Sequence, residues 1–345
     1  MYSINKSQKL GGIFSLILMF LIGYARWNQS GCQKRISYST IHLNEGIDLD
    51  RLYAPPSQGE LLDIQKQWEA FKLQSDSFKF VADFSFGTHR KGKVILQHAG
   101  KQKHYGAIIF PSAYTELKTY PLLVWANGLN QVLPQVDLDR NTLRKALFDK
   151  LGNYFLVIPS FRGQELRVQG KSYCSDGFFG DAFDGACSDA LRLMHLAKSE
   201  YSSIDARRTV FCGVSRGGTV ALLAGIRDSS IQTVVSIAGP TNFFSKEAYY
   251  RYGKQYKYQF LSYTQVQEEI RKKILKSSPL HFVDFLKPSL LLIHGKSDRT
   301  VHISHAEHVV EKLRNKENFK PVLVDGGHQL EEWDRVEQWI RLQNK

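Results

Sequence analysis

The sequence predicts an α/β protein: a mostly parallel central sheet covered by helices on both faces. Three observations carry this. From Leu122 onward, short uninterrupted apolar runs alternate with stretches of helical period, the pattern of strands buried on both sides. The length of 345 residues suits one large domain with decoration, not two full-sized units. The stretch Phe211–Gly218 reads as strand, tight turn and helix start, with a serine between glycines at the turn.

Taken in order, residues 33–75 are polar, with a breaker cluster at Ala54–Gly59. Leu62, Ile64, Trp68 and Phe71 have helical spacing, so Leu61–Leu73 is expected as a surface helix. Phe78–Phe84 and Lys93–Leu96 read as antiparallel edge strands, and His104–Pro111 as a third strand ending at proline. Strand Leu122–Ala126, helix Asn141–Leu151, strand Tyr154–Ile158 and helix Asp184–Lys198 follow. After strand Thr209–Phe211 and the helix beyond it come strands Thr233–Ile237 and Leu290–Ile293, helix Ile303–Arg314, strand Pro321–Val324 and helix Leu330–Gln343. Thr241–Pro288 interrupts this alternation with a tyrosine- and lysine-rich run and a basic helix at Thr264–Lys276. Its position suits a lid over the carboxyl ends of the strands, where such sheets bind ligands. A solvated helical insertion is the plainer alternative.

A hydrophobic content of 43% and a charged content of 23% are those of an ordinary globular protein. The net charge is +13; the first 31 residues hold three bases (Lys6, Lys9, Arg26) and no acids, so the rest carries +10. That excess favours anionic surfaces without naming a partner. No nucleic-acid motif or zinc spacing is present, so neither partner nor cofactor is expected there. Lys6 and Lys9 precede an apolar run, Leu10–Ala25. As a helix it would reach about 24 Å, short of the roughly 30 Å hydrocarbon core, which is the pattern of an export signal. Cleavage, retention as a membrane anchor and lipidation at Cys32 all remain open, and the expected localisation is exported. The domain plan is therefore a signal or anchor at 1–31, an N-terminal extension at 32–75, and the main domain at 76–345 with an insertion at 241–288. Cys174 and Cys187 bracket one loop and are either a disulfide or two free thiols, while Cys212 reads as a buried small hydrophobe.

The serine turn carries the chemistry. Gly213-Val214-Ser215-Arg216-Gly217 fits the G-x-S-x-G nucleophile elbow, in which a strained backbone lifts the serine hydroxyl above the sheet. A hydroxyl needs a base, and the base an orienting acid. Asp298 follows the strand Leu290–Ile293 and His328 follows Pro321–Val324, so both fall at the edge where the serine sits. Ser215 is expected as nucleophile, His328 as base and Asp298 as the acid that orients it. The N–H of Arg216, at the helix start, and of Leu129, after the strand Leu122–Ala126, are expected to bind the oxyanion.

Gly213–Gly218, Phe161-Arg162-Gly163, the loop Asp176–Gly180, Asp189, Ser278-Pro279-Leu280 and Leu292–Val301 together resemble the catalytic domain of the prolyl oligopeptidase family within the α/β-hydrolase fold. The resemblance covers roughly residues 105–343. It implies a serine hydrolase that cleaves peptide or carboxylic ester bonds in small-molecule or peptide substrates through an acyl-enzyme, with no cofactor. This chain departs from the family at Asn127-Gly128, where His-Gly is usual. The 100 residues before the resemblance are also too few for the family's β-propeller. The alternative from another class is a catalytically silent, membrane-attached binding protein. His302, His305 and His308 suggest a metal only weakly, as do Asp176, Asp181, Asp184 and Asp189 for calcium, so no metal is expected. Arg162 is expected in a structural ion pair rather than on substrate.

Overall fold

The structure, a computed structural model, describes residues 47–130, 134–139, 147–262 and 264–344. Its centre is a nine-stranded sheet in the order β1-β2-β3-β6-β4-β9-β10-β11-β12. β1 (Ser77–Phe86), β2 (Arg90–Ala99) and β3 (Gln102–Ile109) form an antiparallel meander that ends against β6 (Phe155–Pro159). From β6 outward, β4 (Tyr120–Ala126), β9 (Ile204–Val214), β10 (Thr233–Ile237), β11 (Ser289–Gly295) and β12 (Phe319–Val324) all run parallel. Every residue of β4, β6 and β10 is buried, which explains their unbroken apolar reading.

Alternate side chains of these strands feed two cores. Val124, Val157, Val234 and Leu292 face one, beneath helices α3 (Asp184–Glu200), α4 (Arg216–Arg227) and α7 (Ser304–Leu313). Trp125, Ile158, Val235 and Ile293 face the other, with Leu147, Phe148 and helix α8 (Trp333–Gln343). The molecule thus has the predicted three layers.

The insertion holds α5 (Lys246–Phe260), α6 (Gln267–Lys276) and two short 3₁₀ turns. Helix α5 is broken at Gly253, whose φ of 49° and ψ of −123° are non-helical. Described residues of the N-terminal extension buttress this insertion. Ser57 and Glu60 form a capping box at α2 (Gln58–Glu69), and Glu60 also pairs with Arg271 of α6 at 2.6 Å. Arg271 further donates to the carbonyls of Leu52 and Ala54, the former in α1 (Leu49–Leu52), and Tyr53 bonds Tyr256 of α5 at 3.0 Å.

Some expectations change. A small second sheet, β5 (Gln135–Asp137), β7 (Glu165–Val168) and β8 (Lys171–Cys174), was not expected from the sequence. Cys174 is disulfide-bonded while Cys187 is a free, fully buried thiol in α3, so the two do not pair. The apolar run 10–25, Cys32 and the first part of the predicted helix 141–151 lie outside the described residues. Among those described, no helix is long and apolar enough to cross a membrane. At the sheet border, nothing described pairs with the outer side of β1, where Phe80 and Val81 are exposed and the register with β2 shifts between Phe80 and Ala82.

Candidate active site

Ser215 stands between the end of β9 and the first turn of α4, at φ 56° and ψ −123°. Among the described residues only Gln169 and Ala238 are other non-glycines with positive φ. Such a conformation costs about 1–3 kcal/mol, and the surroundings impose it. The Ser215 N–H donates to Ile237 O of β10 at 2.8 Å. A Cβ on Gly213 would lie 2.1 Å from Gly217 O, and one on Gly217 would lie 2.0 Å from Ala126 O. The turn therefore closes only with glycine on either side of Val214-Ser215-Arg216, which is the physical content of the motif.

The loops after β11 and β12 are zipped together by backbone bonds, Lys296 N to Val324 O and Ser297 N to Gly326 O, both 2.9 Å. This brings Asp298 beside His328. His328 Nδ1 lies 2.7 Å from Asp298 Oδ2, and its Nε2 lies 2.9 Å from Ser215 Oγ. With Nδ1 carrying the proton, Nε2 is left as an acceptor toward the hydroxyl. Asp298 Oδ1 accepts from the N–H groups of Thr300 at 2.8 Å and Val301 at 2.9 Å. Burial pushes the Asp298 carboxyl up, but these bonds and the imidazole outweigh it and hold it below the usual carboxylate value. Behind it, His294 Nε2 donates to Val301 O at 2.9 Å and is held neutral by burial.

Ser215 and His328 open onto a cavity of about 810 Å³ at the carboxyl ends of the strands. Arg251, Tyr252, Gln255 and Gln259 of α5 form one wall, and Asn127–Asn130 another. Of the expected oxyanion donors, Arg216 opens α4, and Leu129 lies half-buried on the cavity wall. The Arg216 side chain, which the sequence reading left unused, is itself 2% exposed and lies over the Phe161 ring at 4.6 Å. Also unforeseen is a tie between α5 and α7. His305 Nδ1 accepts from the N–H groups of Thr241 and Asn242, so its proton sits on Nε2 and is donated to the Tyr252 hydroxyl at 2.9 Å. Burial pushes His305 down to about 3, so this tie does not titrate near neutral pH. Spacing alone gives no sign of it.

Most of the remaining candidates have structural partners. His302 bonds Ser304, and among the described residues no group of three His, Cys, Asp or Glu is arranged to hold a metal. Arg162 bonds both carboxylate oxygens of Asp189 at 3.0 and 2.8 Å and Asp181 at 2.6 Å. Asp184 pairs with Arg227, and Asp176 accepts the N–H of Lys103.

Sheet order, parallel crossovers and serine elbow are those of an α/β-hydrolase. Residues 146–337, more than half of the chain, match the prolyl oligopeptidase family, and the chain belongs to it. It is accordingly a serine hydrolase, a peptidase or an esterase. No curated protein matches the sequence. Among solved structures, an acetyl xylan esterase from Paenibacillus sp. R4 superposes with a TM-score of 0.62 at 15% identity, covering 86% of this chain and 100% of that one. Acetyl xylan esterase 1 from Thermoanaerobacterium sp. JW/SL YS485 gives 0.58 at 13% identity, over 87% and 99% of the two chains. A putative dipeptidyl aminopeptidase IV from Bacteroides ovatus gives 0.53 at 15% identity, over 78% of this chain and 36% of that one. At these identities the likeness is one of fold.

Proposed function

We propose that the protein hydrolyses carboxylic ester or peptide bonds through an acyl-enzyme on Ser215. Ser215 Oγ attacks the carbonyl carbon while its proton passes to His328 Nε2, and Asp298 stabilises the imidazolium. The oxyanion is received by the N–H groups of Arg216 and Leu129. As the tetrahedral adduct collapses, the bond to the leaving group breaks and His328 returns the proton to that group. Water then repeats the sequence and releases the acid. The observation that carries this reading is the unbroken chain of contacts, 2.9 Å and 2.7 Å, from hydroxyl to imidazole to carboxylate at the floor of a substrate-sized cavity. Intact contacts of that kind speak against a silent binding protein.

Ester cleavage is favoured over peptide cleavage by the character of the cavity walls. The cavity walls, with Asn127, Asn130, Gln135 and Gln259, offer hydrogen bonds suited to a short acyl group on a polar carrier rather than a long hydrocarbon. Export follows as a further proposal from the basic start and apolar run 10–25, supported by the disulfide at Cys174. Detecting the protein only in the cytosolic fraction would end it.

A fluorophosphonate probe tests the chemistry. The protein should label, and Ser215→Ala should abolish labelling while the circular dichroism spectrum and melting temperature stay those of the parent. A folded parent that does not label refutes the reading. p-Nitrophenyl acetate turned over far faster than aminoacyl or prolyl p-nitroanilides supports the ester assignment, and the reverse order supports the peptidase.

A further inference from the structure

Arg216 is a buried cation with no carboxylate partner among the described residues. Its Nε and Nη2 donate to Asn127 O at 3.3 and 3.2 Å, and Nη2 also to Gly128 O at 3.0 Å and Gln164 Oε1 at 3.3 Å. Every acceptor is neutral, and burial alone pushes the guanidinium down to about 9. A charge sequestered without a counterion is strongly unfavourable, so packing does not explain its presence. Its location does. The residue whose N–H follows the nucleophile reaches across, with its own side chain, to the turn after β4. That turn lies against the serine: a Cβ on Gly128 would be 3.6 Å from Ser215 Cβ and 3.4 Å from Val214 O.

We propose that the Arg216 side chain is a positioning residue for the oxyanion site, clamping the carbonyls of Asn127 and Gly128 so that the N–H donor next along the turn is held in register with the donor at Arg216. The inference rests on the reading above, in which these two residues supply the donors. The guanidinium suits the task because its planar fork holds two carbonyls at fixed spacing, which an ammonium does not. Gln164 Oε1 accepts from the same Nη2 that holds the two carbonyls, and the Phe161 ring supports the guanidinium's face. The turn is thereby ordered through its main-chain carbonyls by a side chain from the neighbouring helix.

The test uses Arg216→Gln and Arg216→Lys in the full chain, with active sites titrated by a fluorophosphonate so that rates refer to folded enzyme. Both should lower kcat by about 10²–10³, the usual loss of one oxyanion donor, with KM for p-nitrophenyl acetate within a few-fold of the parent. Affinity for a trifluoromethyl ketone, which mimics the tetrahedral adduct, should fall in step with kcat/KM, while acetate inhibition stays unchanged. A merely structural role would lower the melting temperature or the titratable fraction and leave kcat per titrated site intact, which would overturn the proposal. If the Arg216 variants do not fold, Gln164→Met decides. A several-fold drop in kcat at unchanged KM supports the clamp, and an unchanged kcat refutes it. A parent that neither labels nor turns over any ester would instead refute the hydrolase reading itself.

Discussion

The carboxylate of Asp298 has both oxygens committed, one to the imidazole and the other to two backbone N–H groups. Asp298→Asn keeps the size but places an N–H₂ or a weaker acceptor against His328, which favours the wrong tautomer. Loss of about 10³–10⁴ in kcat is expected, with KM for p-nitrophenyl acetate nearly unchanged, and steady-state kinetics of the purified variant measure it. An effect below tenfold would mean that the acid is not Asp298. The residues of this site were legible because each follows an apolar strand and the motif glycines have steric reasons to be glycine. The Arg216 side chain was not legible, since an arginine in a sequence reads as solvated and only the folded turn reveals what surrounds it.

At the scale of elements, α3 and α4 are joined by His195 and Asp228, 2.6 Å apart at the end of α4. Burial pushes the Asp228 carboxyl up, but His195 and the bonds at Ser230 more than offset this and bring it down to about 2. A folded value below the unfolded one means that the unfolded chain binds more protons. The contribution is therefore complete above about pH 4 and is lost as pH falls through 2. Asp228→Asn should reduce unfolding free energy by about 2 kcal/mol at pH 7, and the gap to the parent should shrink toward pH 3. Urea unfolding followed by tryptophan fluorescence at the two pH values measures both. Central strands were readable as elements because they are apolar throughout, whereas β9 begins among charged residues, Asp205, Arg207 and Arg208, and only its middle, Thr209–Phe211, read as a strand. The second sheet went unseen because three- and four-residue strands such as Gln135–Asp137 offer too few positions for a period to show.

On the scale of the whole molecule, the layers and their covering helices were foreseeable from alternation alone. What the extension does was not, because the contacts of Glu60 and Tyr53 with the insertion join residues some 200 apart in sequence, which local pattern does not encode. The open flank of β1 bears on how the molecule behaves in quantity. Its outer amides, which no described residue pairs, and the Phe80 ring form a ready template for another strand, and the register shift beside Val81, with Lys93 laid over that ring at 5.3 Å, interrupts its straightness. Concentrated stocks should scatter more light with storage while each remaining soluble molecule keeps its full turnover, and Phe80→Lys should slow the rise. Shelf life would thus be governed by a border on the antiparallel side of the sheet, away from the parallel strand ends where the reaction takes place.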